Sequence, residues 1–155
     1  MKYYKKLPLL FFVILLVSCL NKESPNEQIM QAIRTETNFD KLSFKLMELK
    51  FIKGKQFTLG SLNLVPFEGK LLDQKIQFLI ISKASDKTKV NEIIGQFIKN
   101  KKDENLLRTF TEYFKDYKRI EKDGDITFMK NDIEITMHNN TNVSGNFTFD
   151  IKRDF

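Results

Sequence analysis

Residues 123–137 read Asp-Gly-Asp-Ile-Thr-Phe-Met-Lys-Asn-Asp-Ile-Glu-Ile-Thr-Met, and their period decides the fold. Asp123-Gly124 is a turn pair. Ile126 and Phe128 then alternate with polar neighbours, and a tight turn around Asn131 leads into Ile133, Ile135 and Met137. A repeat of two sends alternate side chains to opposite faces, the signature of strands with one buried side. Beyond them the polar, Asn-rich stretch 139–146 reads as a loop, after which Phe147, Phe149 and Ile151 point one way while Thr148, Asp150 and Lys152 point the other. The spacing predicts a three-stranded antiparallel meander.

Upstream the period changes. Val90, Ile93, Ile94, Phe97 and Ile98 stand at offsets 0, 3, 4, 7 and 8, which predicts a helix starting near Ser85 or Asp86 and ending near Asn100. The run Lys99-Asn100-Lys101-Lys102 falls at its end, where cations complement the helix dipole. Asp103 caps a second predicted helix with Leu106, Leu107, Phe110, Tyr113, Phe114 and Tyr117 on one face. Glu104, Arg108, Glu112, Lys115 and Arg119 alternate in sign on the other, as on a solvated surface. Phe78 to Ile81 is a continuous apolar run inside 77–81, expected as a central strand buried on both faces. Gly54-Lys55 fits a two-residue hairpin turn that sets Met47, Leu49 and Phe51 on one face with Leu62 and Leu64. Leu42, Leu46 and Leu49 also fit a helix, so residues 39–52 stay open between the two, with the hairpin register favouring a strand. Val65-Pro66-Phe67-Glu68-Gly69 is expected to break the pattern. Ser24-Pro25-Asn26-Glu27 reads as a capping box opening a short N-terminal helix. The expectation is one α+β domain over residues 24–155. It has a mostly antiparallel sheet of about five or six strands, two central amphipathic helices and a short N-terminal helix.

Composition narrows the chemistry. The 155 residues are 41% hydrophobic and 30% charged, with one Cys, one His, no Trp and a formal charge of +6. One Cys excludes an intramolecular disulfide, and one His leaves little material for a His-based metal or catalytic cluster. Only Arg34, Arg108, Arg119 and Arg153 are Arg among 26 basic residues, whereas phosphate and base recognition favour Arg's planar fork. No nucleic acid partner is expected.

The first nineteen residues carry the clearest message. Lys2, Lys5 and Lys6 precede an apolar run of eleven from Leu7 to Val17, closed by Leu16-Val17-Ser18-Cys19, the order of a secretory signal. Eleven helical residues reach roughly 16 Å, about half of a hydrocarbon core. Leu-Val-Ser-Cys resembles the lipobox of bacterial lipoproteins. The resemblance implies cleavage between Ser18 and Cys19 by signal peptidase II, with diacylglycerol on the Cys19 thiol and often an acyl chain, such as palmitate, on its amine. Residues 1–18 are then the signal peptide and 19–23 the lipidated Cys and a short tether. Such a tether spans at most about 18 Å, so the body is expected close to the bilayer that Cys19 enters. Leu20 after the Cys resembles lipoproteins sent to an outer membrane, and the Lys22-Glu23 pair leaves the periplasmic and surface faces both open. Losing the signal removes three Lys and no acid, leaving 23 basic residues against 20 acids, a net of +3.

No phosphate loop, Gly-x-Ser-x-Gly elbow or His-Glu-x-x-His motif occurs. His138 shares the polar face of its strand with Thr136 and Glu134, but neighbours two residues apart on a strand are about 7 Å away. It is expected to be an exposed, ordinary His. Asp123 and Asp125 around Gly124 are read as a turn rather than a calcium loop. No catalytic, metal or cofactor-binding residue is therefore assigned. The functional expectation is an envelope lipoprotein that acts by binding, as an assembly subunit, an inhibitor or immunity partner, or a ligand carrier. Its alternative is a hydrolase of envelope glycans using two distant carboxylates, which leave no local signature.

Overall fold

A computed structural model describes residues 23–98, 104–138 and 147–153. The signal segment, Cys19, the run Lys99-Asn100-Lys101-Lys102, the Asp103 cap and the Asn-rich stretch 139–146 lie outside the described residues. Helix α1 (Pro25–Thr35) opens as its sequence dictates. Ser24 Oγ accepts from the Glu27 N–H at 3.2 Å and Glu27 Oε2 accepts from the Ser24 N–H at 2.7 Å, with Pro25 where no donor is required. Helix α2 (Phe39–Glu48) is capped by Asn38, and the spacing of Phe39, Leu42, Ser43 and Leu46 buries one stripe. The strand reading of residues 39–52 is thus corrected. It required Met47 to face inward, yet Met47 is half exposed, while Leu42 and Leu46 are fully buried. The helix closes on Lys50 at φ 70°, with the Phe51 N–H donating to Leu46 O, a Schellman closure.

Among the described residues nine antiparallel strands follow, more than the five or six expected from the sequence. They are β1 (Ile52–Lys53), β2 (Phe57–Leu59), β3 (Leu62–Leu71), β4 (Gln74–Lys83), β5 (Glu92–Phe97), β6 (Lys118–Lys122), β7 (Asp125–Lys130), β8 (Ile133–His138) and β9 (Thr148–Arg153), with helix α3 (Glu104–Glu112) between β5 and β6. Their order is β1-β3-β4-β5-β9-β8-β7-β6, and β2 shares the β3 edge with β1. Two-residue turns close four hairpins. Gly60 has φ 59°, Leu72 and Asp73 are both left-handed, as are Asp123 and Gly124, and Asn131 has φ 53°. Paired positive φ angles match the right-handed strand twist.

The hairpin expected at Gly54-Lys55 is replaced by the turn at Gly60-Ser61. The stretch from Val65 to Gly69 does not break the pattern but runs through the middle of β3. Pro66 is tolerated because it falls between the residues paired with β1 and those paired with β2, where a missing N–H removes no ladder bond.

The predicted helix at 85–100 is likewise overturned. Residues 84–91 form a connection and 92–97 a central strand, flanked by β4 and β9. Ile93, Gly95 and Phe97 are buried on the inner side and Ile94 is half-buried on the outer. A strand apolar on both faces counterfeits the i, i+3, i+4 pattern. The residue types break the tie, because Val90, Ile93 and Ile94 are β-branched and Gly95 costs a helix about 1 kcal/mol. The second predicted helix exists but stops at Glu112, freeing residues 118–122 for an edge strand. The meander beyond Asp123 is as expected.

All three helices lie on one face of the sheet. Ile29, Met30 and Ile33, Leu42 and Leu46, and Phe110 pack with Phe67, Phe78, Ile80, Phe97, Phe149 and Ile151 into one core. Phe110 contacts Phe97, Phe114, Phe147 and Phe149 at ring-centroid distances of 4.5 to 6.3 Å, so α3 sits where the two halves of the sheet meet at β5 and β9.

Candidate functional site

Among the described residues the helices lie on one side of the sheet and none covers the other face, on which Leu64 and Ile81 are nonetheless buried. The register orders what it displays. One row reads Pro66, Leu79, Ile94, Asp150, Thr136, Thr127, Ile120 from the β1–β2 edge to the β6 edge. One neighbouring row begins with Phe57, Leu64 and Ile81 and passes to Glu92, Lys152 and Glu134, while the next begins with Leu59 and Leu62 and meets Lys83. The face is therefore apolar over β2–β4 and polar over β7–β9.

The polar half centres on His138. Its Nδ1 lies 3.0 Å from Asp125 Oδ2 and its Nε2 2.9 Å from Asp150 Oδ2. The half-buried ring bridges three strands, which corrects the expectation of an exposed, ordinary His. Burial opposes the imidazolium, but the hydrogen bonds and charges of Asp150 and Asp125 outweigh it, so the His138 pKa is raised. The reason is local: a neutral imidazole donates from one nitrogen and turns a lone pair toward the other carboxylate, whereas the cation donates to both. Beside this ring Thr127 and Thr136 share a hydroxyl hydrogen bond of 3.2 Å, and Thr136 donates to Glu134. Burial raises the pKa of Glu92 in the same face, against the pull of Lys152.

Both ring nitrogens face carboxylates, which leaves no position for a nucleophile to be activated by His138. The two carboxylates meet opposite edges of the ring and do not converge on a point where a cation could sit. Among the described residues no group of three or more His, Cys, Asp or Glu is arranged for a metal ion. Asp123 lies in its turn as expected, whereas Asp125 is the first residue of β7. An open depression of about 290 Å³ lies elsewhere, between the α1 start, the β3–β4 turn and α3, and Asp73 is the one carboxylate lining it.

No family model, curated protein or solved structure matches the chain. Among the described residues no helix is long and apolar enough to cross a membrane.

The apolar half is partly bare. Leu64 and Ile81 are buried, but Phe57, the strand partner of Leu64, is half exposed, and Ile52 and Leu59 are 74% and 66% exposed. Sequence reasoning missed both halves of the face for different reasons. The pairing of Asp125 with His138 is encoded: counting outward from the two-residue turn at 131–132 sets 125 against 138. The approach of Asp150 depends on how β9 returns after residues 139–146, which the sequence does not specify.

Proposed function

We propose that the chain is a lipid-anchored lipoprotein of the bacterial cell envelope that acts by binding, as an assembly subunit, an inhibitor or immunity partner, or a ligand carrier. The sheet face that no described helix covers supports this reading, because it combines partly exposed apolar side chains at one edge with an ordered polar cluster around His138, the anatomy of a recognition surface. A carboxylate-based glycan hydrolase fits less well, since a cleft with two converging carboxylates would be needed and the nearest such pair is committed to one imidazole on an open surface. Export follows from residues 1–18 and anchoring from Cys19, with the outer membrane favoured by Leu20.

Two measurements test the reading. Cys19→Ala is expected to abolish labelling by palmitate and to leave an uncleaved precursor; labelling that persists would refute the anchor. Asp125→Asn with Asp150→Asn is expected to leave envelope glycan turnover by purified protein at the background rate of wild type. If wild type turned glycan over and the double variant did not, the binding reading would be wrong.

A further inference from the structure

We propose that the β1–β2 edge of the sheet rests on the bilayer itself, at headgroup depth, so that the polar half of the uncovered face points away from the membrane; this rests on the anchoring of Cys19. Three observations converge on that edge. Ile52, Phe57, Leu59 and Leu62 are exposed there, and apolar side chains along an open strand edge favour a covering partner. No acid occurs from Leu49 to Phe67, while Lys50, Lys53 and Lys55 are all exposed within that stretch. Exposed apolar side chains beside lysines match an interface in which the former enter the headgroup and acyl boundary and the latter meet anionic phosphates. The opposite half mixes Asp125, Asp150, Glu134 and Glu92 with His138 and Lys152, and so lacks the run of uncompensated lysines that marks the β1–β2 edge.

The position of the tether completes the argument. Asn26 at the start of α1 accepts through Oδ1 from the Leu72 N–H in the β3–β4 turn, at 2.9 Å. The chain therefore leaves the fold at the β3–β4 turn, one strand in from the β1–β2 edge and nearer its Ile52 end: Glu68 opposite Ile52 stands about 13 Å back along β3, and Leu62 opposite Leu59 about 33 Å, so an edge lying flat on the bilayer keeps both in one plane. Strands are about 4.8 Å apart, and the residues from 19 to 24 span up to about 18 Å. Cys19 and the β1–β2 edge can thus meet the same membrane plane. At headgroup depth water still reaches the unpaired backbone groups of an edge strand, so no buried polar cost arises there.

The absence of Trp from the chain makes the proposal directly measurable. Leu59→Trp and, as a second reporter at the same edge, Ile52→Trp are introduced singly into the full lipoprotein, with Ile120→Trp on β6 as the far-edge control. Each is reconstituted on vesicles of phosphatidylethanolamine and phosphatidylglycerol with brominated acyl chains. Strong quenching of Leu59→Trp and Ile52→Trp with Ile120→Trp unaffected is the expected result. Palmitate-labelled protein that floats with the vesicles while both edge reporters stay unquenched, or while all three are quenched alike, overturns the edge contact and leaves the anchor intact. Protein without palmitate on Cys19 removes the anchor, and the proposal with it.

Discussion

His138 gathers on one ring what three strands bring separately, and its protonation is linked to folding. Its pKa is raised in the folded state from the ordinary 6.5. The stabilisation it provides is therefore complete below about pH 6.5 and is lost as pH rises through the higher folded value. His138→Gln is expected to lower stability by about 1 kcal/mol at pH 6. Urea titrations should show the two proteins converging at alkaline pH, and a gap that widened with pH would contradict the clamp. Gly95 illustrates a different residue-scale constraint. A Cβ built on it would fall 2.2 Å from Phe149 Cζ, because the ring lies flat over the strand. Gly95→Ala should cost about 1–3 kcal/mol by overpacking. Adding Phe149→Leu should recover part of that loss, whereas strictly additive losses would show that the ring is not the cause. Arg153 is a buried charge: its Nη2 donates to Ile33 O at 2.5 Å, and burial lowers its pKa to about 10.

Elements formed where local chemistry and burial agreed. The capping box opening α1 was legible residue by residue, and Ser24→Ala should cost about 1 kcal/mol. The effect should appear as faster amide exchange in the first turn of α1, and unchanged exchange there would discount the cap. The meander from Asp123 was legible because each strand has one wet face, so the period of two is undisturbed. Strand β5 was not, because it lies in the middle of the sheet with Ile94 half-buried on the outer side opposite Ile93 and Phe97, so its pattern carries no clear period of two. The same ambiguity hid α2, whose apolar residues satisfy a helix stripe and, by parity, a hairpin register. Strand β6 escaped notice for the opposite reason: its residues, Lys-Arg-Ile-Glu-Lys, are all exposed, as suits an edge strand guarded by charge.

For the whole molecule the decisive join is between β5 and β9, where α3 closes an aromatic cluster over both halves of the sheet. Phe110→Ala is expected to cost about 3–5 kcal/mol. Because Phe110 touches groups from both halves, the loss should shift one cooperative unfolding transition rather than divide it. Far-ultraviolet dichroism and tyrosine fluorescence that lost their coincidence would show that the halves fold independently. By itself the sequence determined the mixed α+β class, the capping box of α1 and the hairpins with wet faces, since each depends only on neighbours in the chain. The tertiary structure alone decided that residues 92–97 are a strand, that nine strands share one sheet, and that Asp150 reaches His138. Those outcomes turn on which surfaces cover one another, and coverage is a property of distant segments meeting.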